Sequence, residues 1–522
     1  MRTLTSLRKS KLFSAAAILL TAVLLVTGCG GSTGSGGEAS ADGTLELSIM
    51  TITPSATPAG EDNVIKQAIE KATYSKMHIQ WVANNVYKDK LNLTLASGDI
   101  PDLIMINDPF GSTFTTMVNQ GAFWNLAPYY KDYPNLVDGI PEVAWEHTKA
   151  ADGSNYGIPR PRDPDDVSFF IIRKDWLDKL GLQVPQTTDE LYSVMKAFVE
   201  QDPDGNGQRD TVGLAAYIAP EDLGGGNVGP VLGTIDESFT GVNGEWKWDE
   251  GSQQLIYTAL LQETRDSLAY LTRAYADKLI PEDLLSMVQS QARDLFKANK
   301  AGIIVDKSGT MRKIYADDLK KVDPDFKYTD FYPLTSINGY VSKSDGYNGI
   351  LAIPKSVPEE KMKRILQLIN DWMDPDVYSI QKYGIEGTHY TVDANSEKVI
   401  NAEKLIADNA SDFNQIVNVI TLPPENTGET DEEKAAIDFF DQVEQERAKV
   451  SVTNIASGLQ SPTGQKLLPD LNKRIQDLKS KIIIGREPIE AWDTFVTALK
   501  QDPEFIKMSV EMTEAYKKRN GL

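Results

Sequence analysis

Asp102-Leu103-Ile104-Met105-Ile106 reads as a buried strand, and it opens directly into the loop Asn107-Asp108-Pro109-Phe110-Gly111. Four apolar residues in a row leave no polar face, as in a strand covered on both sides of its sheet. Toward the N-terminus, Leu45-Glu46-Leu47-Ser48-Ile49 alternates apolar and polar, the pattern of a half-buried strand. Val64, Ile65, Ala68, Ile69 and Ala72 follow helical spacing, and Ile79-Gln80-Trp81-Val82 is a second strand. A helix through Leu91, Leu93 and Leu95 stops near Gly98. Strands alternating with helices predict an α/β sheet with parallel pairs.

Toward the C-terminus, Thr187-Thr188-Asp189-Glu190 spells a capping box, with Glu190 three residues after Thr187. Leu191, Val194, Met195, Phe198 and Val199 then form a helical stripe, as do Met362, Ile365, Leu366, Ile369, Trp372 and Met373. After about residue 400 the chain reads as mostly helical, with an exposed acidic loop from Glu425 to Glu433 and no internal repeat. The 522 residues are 41% hydrophobic and 25% charged, ordinary globular values at a length that gives two or more domains. Lys and Arg total 53 against 75 Asp and Glu, a net charge of −22, so no basic face awaits nucleic acid. One cysteine excludes an internal disulfide framework and any thiolate metal cluster, and three histidines leave little scope for a multi-histidine centre.

The first residues carry an address. Arg2, Arg8, Lys9 and Lys11 precede an apolar run from Leu12 to Val26, which ends in Val26-Thr27-Gly28-Cys29. This is a secretory signal, because the run falls short of the roughly 20 residues that span a bilayer. Its last four residues resemble a bacterial lipobox, which implies cleavage after residue 28 and diacylation of Cys29, the sole cysteine. Two acyl chains anchor stably where one is marginal. Removal of residues 1–28 leaves 49 basic against 75 acidic residues, a net charge of −26, and residues 29–43 form a flexible Gly/Ser-rich tether. The expected location is the outer face of the cytoplasmic membrane.

Two catalytic patterns fail on context. Gly30-Gly31-Ser32-Thr33-Gly34 matches G-x-S-x-G but lies in the tether, without the strand and helix that a nucleophile elbow needs. Gly224-Gly225-Gly226-Asn227-Val228-Gly229 matches G-x-G-x-x-G, yet Pro230 follows at once and no acidic residue ends a βαβ unit. Asp202-Pro-Asp204-Gly-Asn206-Gly-Gln208-Arg-Asp210 is different. Oxygen-bearing side chains stand at loop positions 1, 3, 5 and 9, Gly207 takes position 6, and Gln208 offers a carbonyl at position 7, a spacing that wraps Ca²⁺. Gly213 replaces the bidentate Glu of position 12, so Thr211 or a distant carboxylate is expected to complete a structural site. Trp246 and Trp248 lie in a polar hairpin-like context and can face a cleft, whereas Trp124 and Trp372 read as core.

Together these segments resemble the extracellular solute-binding proteins of family 1, nearest the lipoproteins of carbohydrate ABC importers of the LplA/LipO type. The resemblance rests on Leu95-Ala-Ser-Gly-Asp-Ile-Pro-Asp-Leu103, Tyr156-Gly-Ile-Pro159, Ile172-Arg-Lys-Asp-Trp-Leu-Asp-Lys-Leu-Gly-Leu182, Gly349-Ile-Leu-Ala-Ile-Pro354 and Tyr383 to Tyr390. It implies an α/β fold of two hinged lobes, of the class II periplasmic-binding-protein type, with a helix-rich C-terminal part. The expected boundaries are 44–162 with 295–345 for the first lobe, and 163–294 with 346–522 for the second. Alginate-oligosaccharide binders of the family carry Ca²⁺ on a loop similar to Asp202–Thr211 and place the acid of an E-G-x-x-aromatic motif, here Glu386 with His389 in the aromatic position, in the sugar site.

The expected function is capture of an oligosaccharide, neutral or uronic, and delivery to a permease by a lipid-anchored monomer that is not an enzyme. A peptide or signal molecule on the same scaffold is the alternative, and a secreted polysaccharide-degrading enzyme a further one. Asp108, Arg160, Trp246, Glu386, His389 and Tyr390 are the candidate ligand contacts; Asp202, Asp204, Asn206, Gln208, Asp210 and Thr211 are the candidate Ca²⁺ ligands. A uronic cargo would need Arg160 and Arg162 to reverse the long-range field of so acidic a protein.

Overall fold

The computed structural model describes residues 43–53, 55, 57–150, 152–218, 231–309, 311–394, 398–420 and 430–522. The signal peptide, Cys29, the tether, the Gly224–Gly229 motif and residues 425–429 of the expected acidic loop lie outside the described residues.

Two sheets divide the apolar sequence between them. β1 (Leu45–Thr53), α1 (Val64–Ala72), β2 (Ser75–Ala83), α2 (Asn84–Ser97), β3 (Leu103–Ile106), α3 (Ser112–Asn119), α4 (Glu142–His147) and β4 (Ile158–Pro161) come first. The chain then crosses to β5 (Phe169–Arg173), α5 (Thr188–Glu200), β6 (Val212–Ala215), the hairpin β7 (Trp246–Asp249) and β8 (Gln254–Tyr257), β9 (Ala301–Asp306) and β10 (Phe331–Pro333). It returns with β11 (Tyr347–Ala352), α6 (Glu359–Trp372), α7 (Pro375–Tyr383) and the hairpin β12 (Tyr390–Val392) and β13 (Lys398–Ile400). α8 (Asp431–Ala448), α9 (Gly464–Ile483) and α10 (Pro503–Asn520) complete the second lobe. Asp431 to Glu433, expected as loop, are instead the first turn of α8, because Thr430 accepts from the Glu433 N–H and caps it.

The first sheet has the order β2-β1-β3-β11-β4, with β1 parallel to β2 and β3 and β11 antiparallel to both its neighbours. The second has the order β10-β5-β9-β6, with β6 and β9 parallel and β5 antiparallel to β9 and β10. This corrects the expected lobe boundaries: β9 and β10 belong to the second sheet, while β11 and residues as far as Val417 pack into the first lobe's core. The apolar runs of β9 and β11 look alike in sequence, and only long-range pairing decides their sheet.

Local signals set the elements. Asn63 caps α1 by accepting from the Ile65 and Lys66 N–H groups at 3.0 Å, and Gly98 ends α2 at φ +75°, a conformation open to glycine without penalty. The capping box of α5 is formed in both directions, Glu190 N–H to Thr187 Oγ1 at 3.2 Å and Thr187 N–H to Glu190 Oε2 at 3.1 Å. Its buried face (Leu191, Val194, Met195 and Phe198) covers the second sheet. Trp372 is fully buried in the first core.

The lobes are joined by three crossings, the described ones being 162–168 and 334–346; the last departs after Val417, whose side chain still packs in the first core. Arg162 N–H bonds the Gly346 carbonyl and Ser344 N–H the Pro164 carbonyl, both at 2.8 Å, so the first two crossings run side by side. Lys343 on the second pairs with Asp165 on the first at 3.1 Å.

Gly302 in β9 marks the tightest approach in the second lobe. A Cβ there would lie 2.1 Å from Phe198 Cδ2 and 2.8 Å from Trp176 Cε3. Gly302→Ala should therefore lower stability by about 1–3 kcal/mol, read as a reduced denaturant midpoint.

Candidate functional site

A cavity of about 670 Å³ opens at the C-terminal end of β3, between residues of the first and second lobes. That volume suits a small-molecule or short-oligomer site. The first lobe supplies Lys88 and Asn92 of α2, the loop from Asn107 to Gly111 and the first turn of α3; the second supplies Glu245 and Trp246, residues between Asn454 and Ser461, and one face of α9. Asp108 and Trp246, expected as ligand contacts, line this cavity from opposite lobes.

Asp108 sits in a tight turn. Its Oδ1 accepts from the Phe110 N–H at 3.0 Å, and any Cβ at position 111 would fall 2.9 Å from its Oδ2, so Gly111 keeps the carboxylate in place. Trp246 is only 3% exposed and makes a T-shaped pair with Tyr257 at 5.1 Å, so little of its ring is open to a ligand. The Tyr257 hydroxyl donates to Asn472 Oδ1 at 2.9 Å, and Asn472 Nδ2 donates to Glu245 Oε1 at 3.1 Å, which sets these polar groups along the wall. Pro469 inside α9 has no N–H to give the Gln465 carbonyl, so the helix presents a backbone acceptor beside the cavity. Lys88, Asn92, Glu245, Gln465 and Asn472 escaped the sequence reading; the one signal in it was a proline in the middle of a helical pattern.

The other expected contacts lie elsewhere. Arg160 is 1% exposed, not solvated, and its guanidinium is spent on the fold, donating to the Asn348 carbonyl at 2.7 Å and to Gln415 Oε1 at 2.5 Å. Burial, then the neighbouring Arg162, pushes it down to about 9. His389 is fully buried: Nδ1 accepts from the Ile385 N–H at 3.0 Å, which puts the ring proton on Nε2, 2.9 Å from Asp408 Oδ2. Glu386 is exposed on the turn that His389 braces, and Tyr390 begins β12 beneath Lys398. None of these four lines the cavity. Trp248 lies against Tyr516 at 4.7 Å, also away from it.

In the loop Asp202–Asp210, Asp202 holds a left-handed φ of +49° and its carboxylate accepts from the Asn206 and Gly207 N–H groups at 3.1 and 3.0 Å. Asn206 Nδ2 bridges Asp204 Oδ2 at 2.7 Å and Asp210 Oδ1 at 3.1 Å. Lys300 Nζ stands 2.5 Å from Asp210 and 3.6 Å from Asp204. The Asp204 side chain is only 5% exposed and its Oδ1 has no partner, while burial and the adjoining Asp202 carboxyl raise it above the usual carboxylate range. An orphaned buried carboxylate oxygen among oxygen donors fits a hard cation. Thr211 does not fit: its hydroxyl turns into the core and donates to the Phe198 carbonyl at 2.7 Å. Among the described residues, no three acidic, histidine or cysteine side chains already converge on one point.

A family model described as a bacterial extracellular solute-binding protein matches residues 56–369. The chain belongs to this family. It is a solute-binding protein of the type that serves carbohydrate ABC importers. The polygalacturonan/rhamnogalacturonan-binding protein YtcQ of Bacillus subtilis is 32% identical over 494 residues, 90% of this chain and 93% of that one. Lipoprotein LipO of the same organism is 28% identical, over 92% of this chain and 94% of its own. The fold is that of solved solute-binding proteins: the alginate-binding protein AlgQ2, in a structure without calcium ion, superposes with a TM-score of 0.63 at 20% identity, covering 90% of this chain and 98% of that one. None of these relatives is named as an enzyme.

Near the crossings, Glu444 of α8 faces Asp166 and Asp163, with Asp441 and Arg447 on its own helix; burial, then Asp166, pushes it up to about 7. Lys307 holds Asp166 at 2.8 Å. A carboxyl raised from 4.5 in the unfolded chain to about 7 in the folded one withdraws stability as pH rises through that window. Glu444→Gln should leave stability unchanged below pH 4.5 and raise it by pH 8, on the order of 2 kcal/mol, in denaturation measured across pH.

Proposed function

We propose that this solute-binding protein captures an oligosaccharide outside the cytoplasmic membrane and passes it to the permease of an ABC importer, without turnover. The observation that carries this reading is the cavity walled by both lobes, in which carboxylates, amides and a lysine alternate with Phe110, Leu91 and Leu459. Polar groups of that kind pair sugar hydroxyls that would otherwise be buried unsatisfied, and the apolar groups cover ring faces. A ligand that touches Asp108 on one lobe and Glu245 on the other favours the closed arrangement over the open one, because only closure lets it touch both. The chain's likeness to a polygalacturonan- and rhamnogalacturonan-binding protein supports a pectin-type oligomer, and its likeness to a lipoprotein supports diacylation at Cys29 of a monomer held at the outer face of the membrane.

Calcium belongs to the same reading. Asp202, Asp204, Asn206 and Asp210 with the Gln208 carbonyl would hold the ion, and water would complete its shell in place of Thr211. The ion would add fixed positive charge to a loop otherwise held by Lys300 on Asp210 and Lys179 on the Pro203 carbonyl.

Thermal unfolding of residues 30–522 against neutral and uronic oligosaccharides tests the cargo. A bound sugar should add about 2.7 kcal/mol of stability at a hundredfold excess over Kd, and the sugar should be recovered intact. No shift with any sugar would favour a peptide or signal cargo; release of shorter sugars would make the protein an enzyme. In the same assay chelator should lower the midpoint, and Asp204→Asn should remove that response.

A further inference from the structure

The lobes also touch beyond the crossings, at the rim of the cavity, and one carboxylate stands at that contact. Asp345 lies near the end of the second crossing, one residue before Gly346. Gly346 is pressed against α4 of the first lobe: its φ is +77°, and a Cβ there would lie 2.8 Å from Val143 Cγ1. Asp345 is thereby fixed on the first-lobe side, with Oδ1 3.0 Å from Nδ1 of His147, the last residue of α4. Its other oxygen, Oδ2, accepts from the Ser457 hydroxyl of the second lobe at 2.8 Å. The two oxygens of one side chain thus serve opposite lobes.

Ser457 belongs to the segment that gives the cavity Asn454, Ala456, Leu459, Gln460 and Ser461. Behind, that segment is anchored by Arg519 near the end of α10, whose Nη1 donates to the Ser457 carbonyl at 2.7 Å and whose Nη2 donates to the Ile455 carbonyl. In front it meets the first lobe. Gly458, at φ +74°, packs so closely that a Cβ would lie 3.0 Å from the His147 carbonyl oxygen and 3.2 Å from Cζ of Phe110, itself a cavity residue. Conformation and space both call for glycine there. Asp345 and Glu146 on the first-lobe side favour the charge of Arg519, so the attraction across the contact acts in the same sense as the hydrogen bond. Each of these is an interaction of the chain with itself.

We propose that Asp345 is a positioning residue for cargo capture: its carboxylate latches the 454–461 wall of the cavity to the first lobe, so that the closed arrangement is populated before cargo arrives. The proposal rests on the cargo-binding reading and adds to it the control of affinity. A cargo that binds only closed protein has its intrinsic affinity scaled by the fraction of molecules that are closed. The latch raises that fraction without touching the cargo. It therefore tunes affinity for every cargo by one factor and leaves the choice among cargoes to the cavity lining. The Lys343–Asp165 pair joins crossing to crossing, whereas the Asp345–Ser457 bond joins lobe to lobe and must break on opening.

The test is a distance measurement between spin labels on the two lobes, at Leu93→Cys of α2 and Lys466→Cys of α9, both exposed positions, in residues 30–522 with no cargo added. That chain has no cysteine of its own. With the latch intact a short-distance population should be present. Ser457→Ala and Asp345→Ala should each shift the closed-to-open ratio toward the longer distance, roughly threefold to tenfold. The double variant should open no further than either single one, because both remove the same bond. With α-1,4-trigalacturonate as the probe, apparent Kd should weaken in each variant by the factor that the distances give. Unchanged distances in folded Ser457→Ala and Asp345→Ala proteins would overturn the proposal, and so would additive opening in the double variant. Failure of the trimer to bind the parent protein would count against a pectin-type cargo, with the cargo-free distances still deciding the latch.

Discussion

Two backbone hydrogen bonds hold the arrangement of this molecule: Arg162 N–H to Gly346 O and Ser344 N–H to Pro164 O. Segments passing between two sheets have no ladder of their own, and buried peptide groups must find partners somewhere. Here the outgoing and returning crossings satisfy each other. Lys343 adds a charge pair to Asp165 and gives its N–H to the Val452 carbonyl, while Asn418 reaches the Pro161 carbonyl from the third crossing. The connection is therefore a narrow ribbon of paired backbone. The opposition of Asp108 and Trp246 across the cavity, and any closing of one lobe on the other, depend on that ribbon keeping its register.

Parts of both lobes were legible where the signals are local. A buried strand, a glycine stop at Gly98 and a capping box at Thr187 each need only a few neighbouring residues to be read. The assignment of β9 and β11 to their sheets was not, because each pairs with strands more than a hundred residues distant in at least one direction, and nothing within a run of valine and isoleucine records that. The candidate site divides the same way. Asp108 follows directly from a strand that must end at the sheet's edge. His389 was misplaced because its partner, Asp408, comes from a separate helix end, and Thr211 because its hydroxyl prefers the carbonyl of Phe198 behind the loop. Polar residues such as Asn92 and Gln465 look like solvated helix positions until the opposing lobe is in view.

The treatment of charge is uneven in an informative way. Arg447 is buried against Phe169, with its Nε on the Leu334 carbonyl and Glu444 close by; Lys300 balances the acids of the Asp202 loop. Lys300 is matched to anions that the chain itself provides, whereas Arg447 bonds neutral oxygens, the Leu334 carbonyl and the Ser308 hydroxyl. Arg160 of β4 is held in the same way, since carbonyl and amide oxygens accept from it without neutralising it. A chain of net charge −22 thus still holds two buried guanidiniums on neutral oxygens.

β11 lies between β3 and β4 in the first sheet, although the whole of β5 to β10 separates it from β4 along the chain. A chain that emerges from a secretion channel N-terminus first therefore presents β1 to β4 with a gap in the middle of their sheet. β3 and β4 have no common neighbour until residues 347–352 arrive, by which time all four strands of the second sheet are already outside. The lobe that begins first is the one that must finish later, and its half-built sheet is exposed along two unpaired edges throughout the interval.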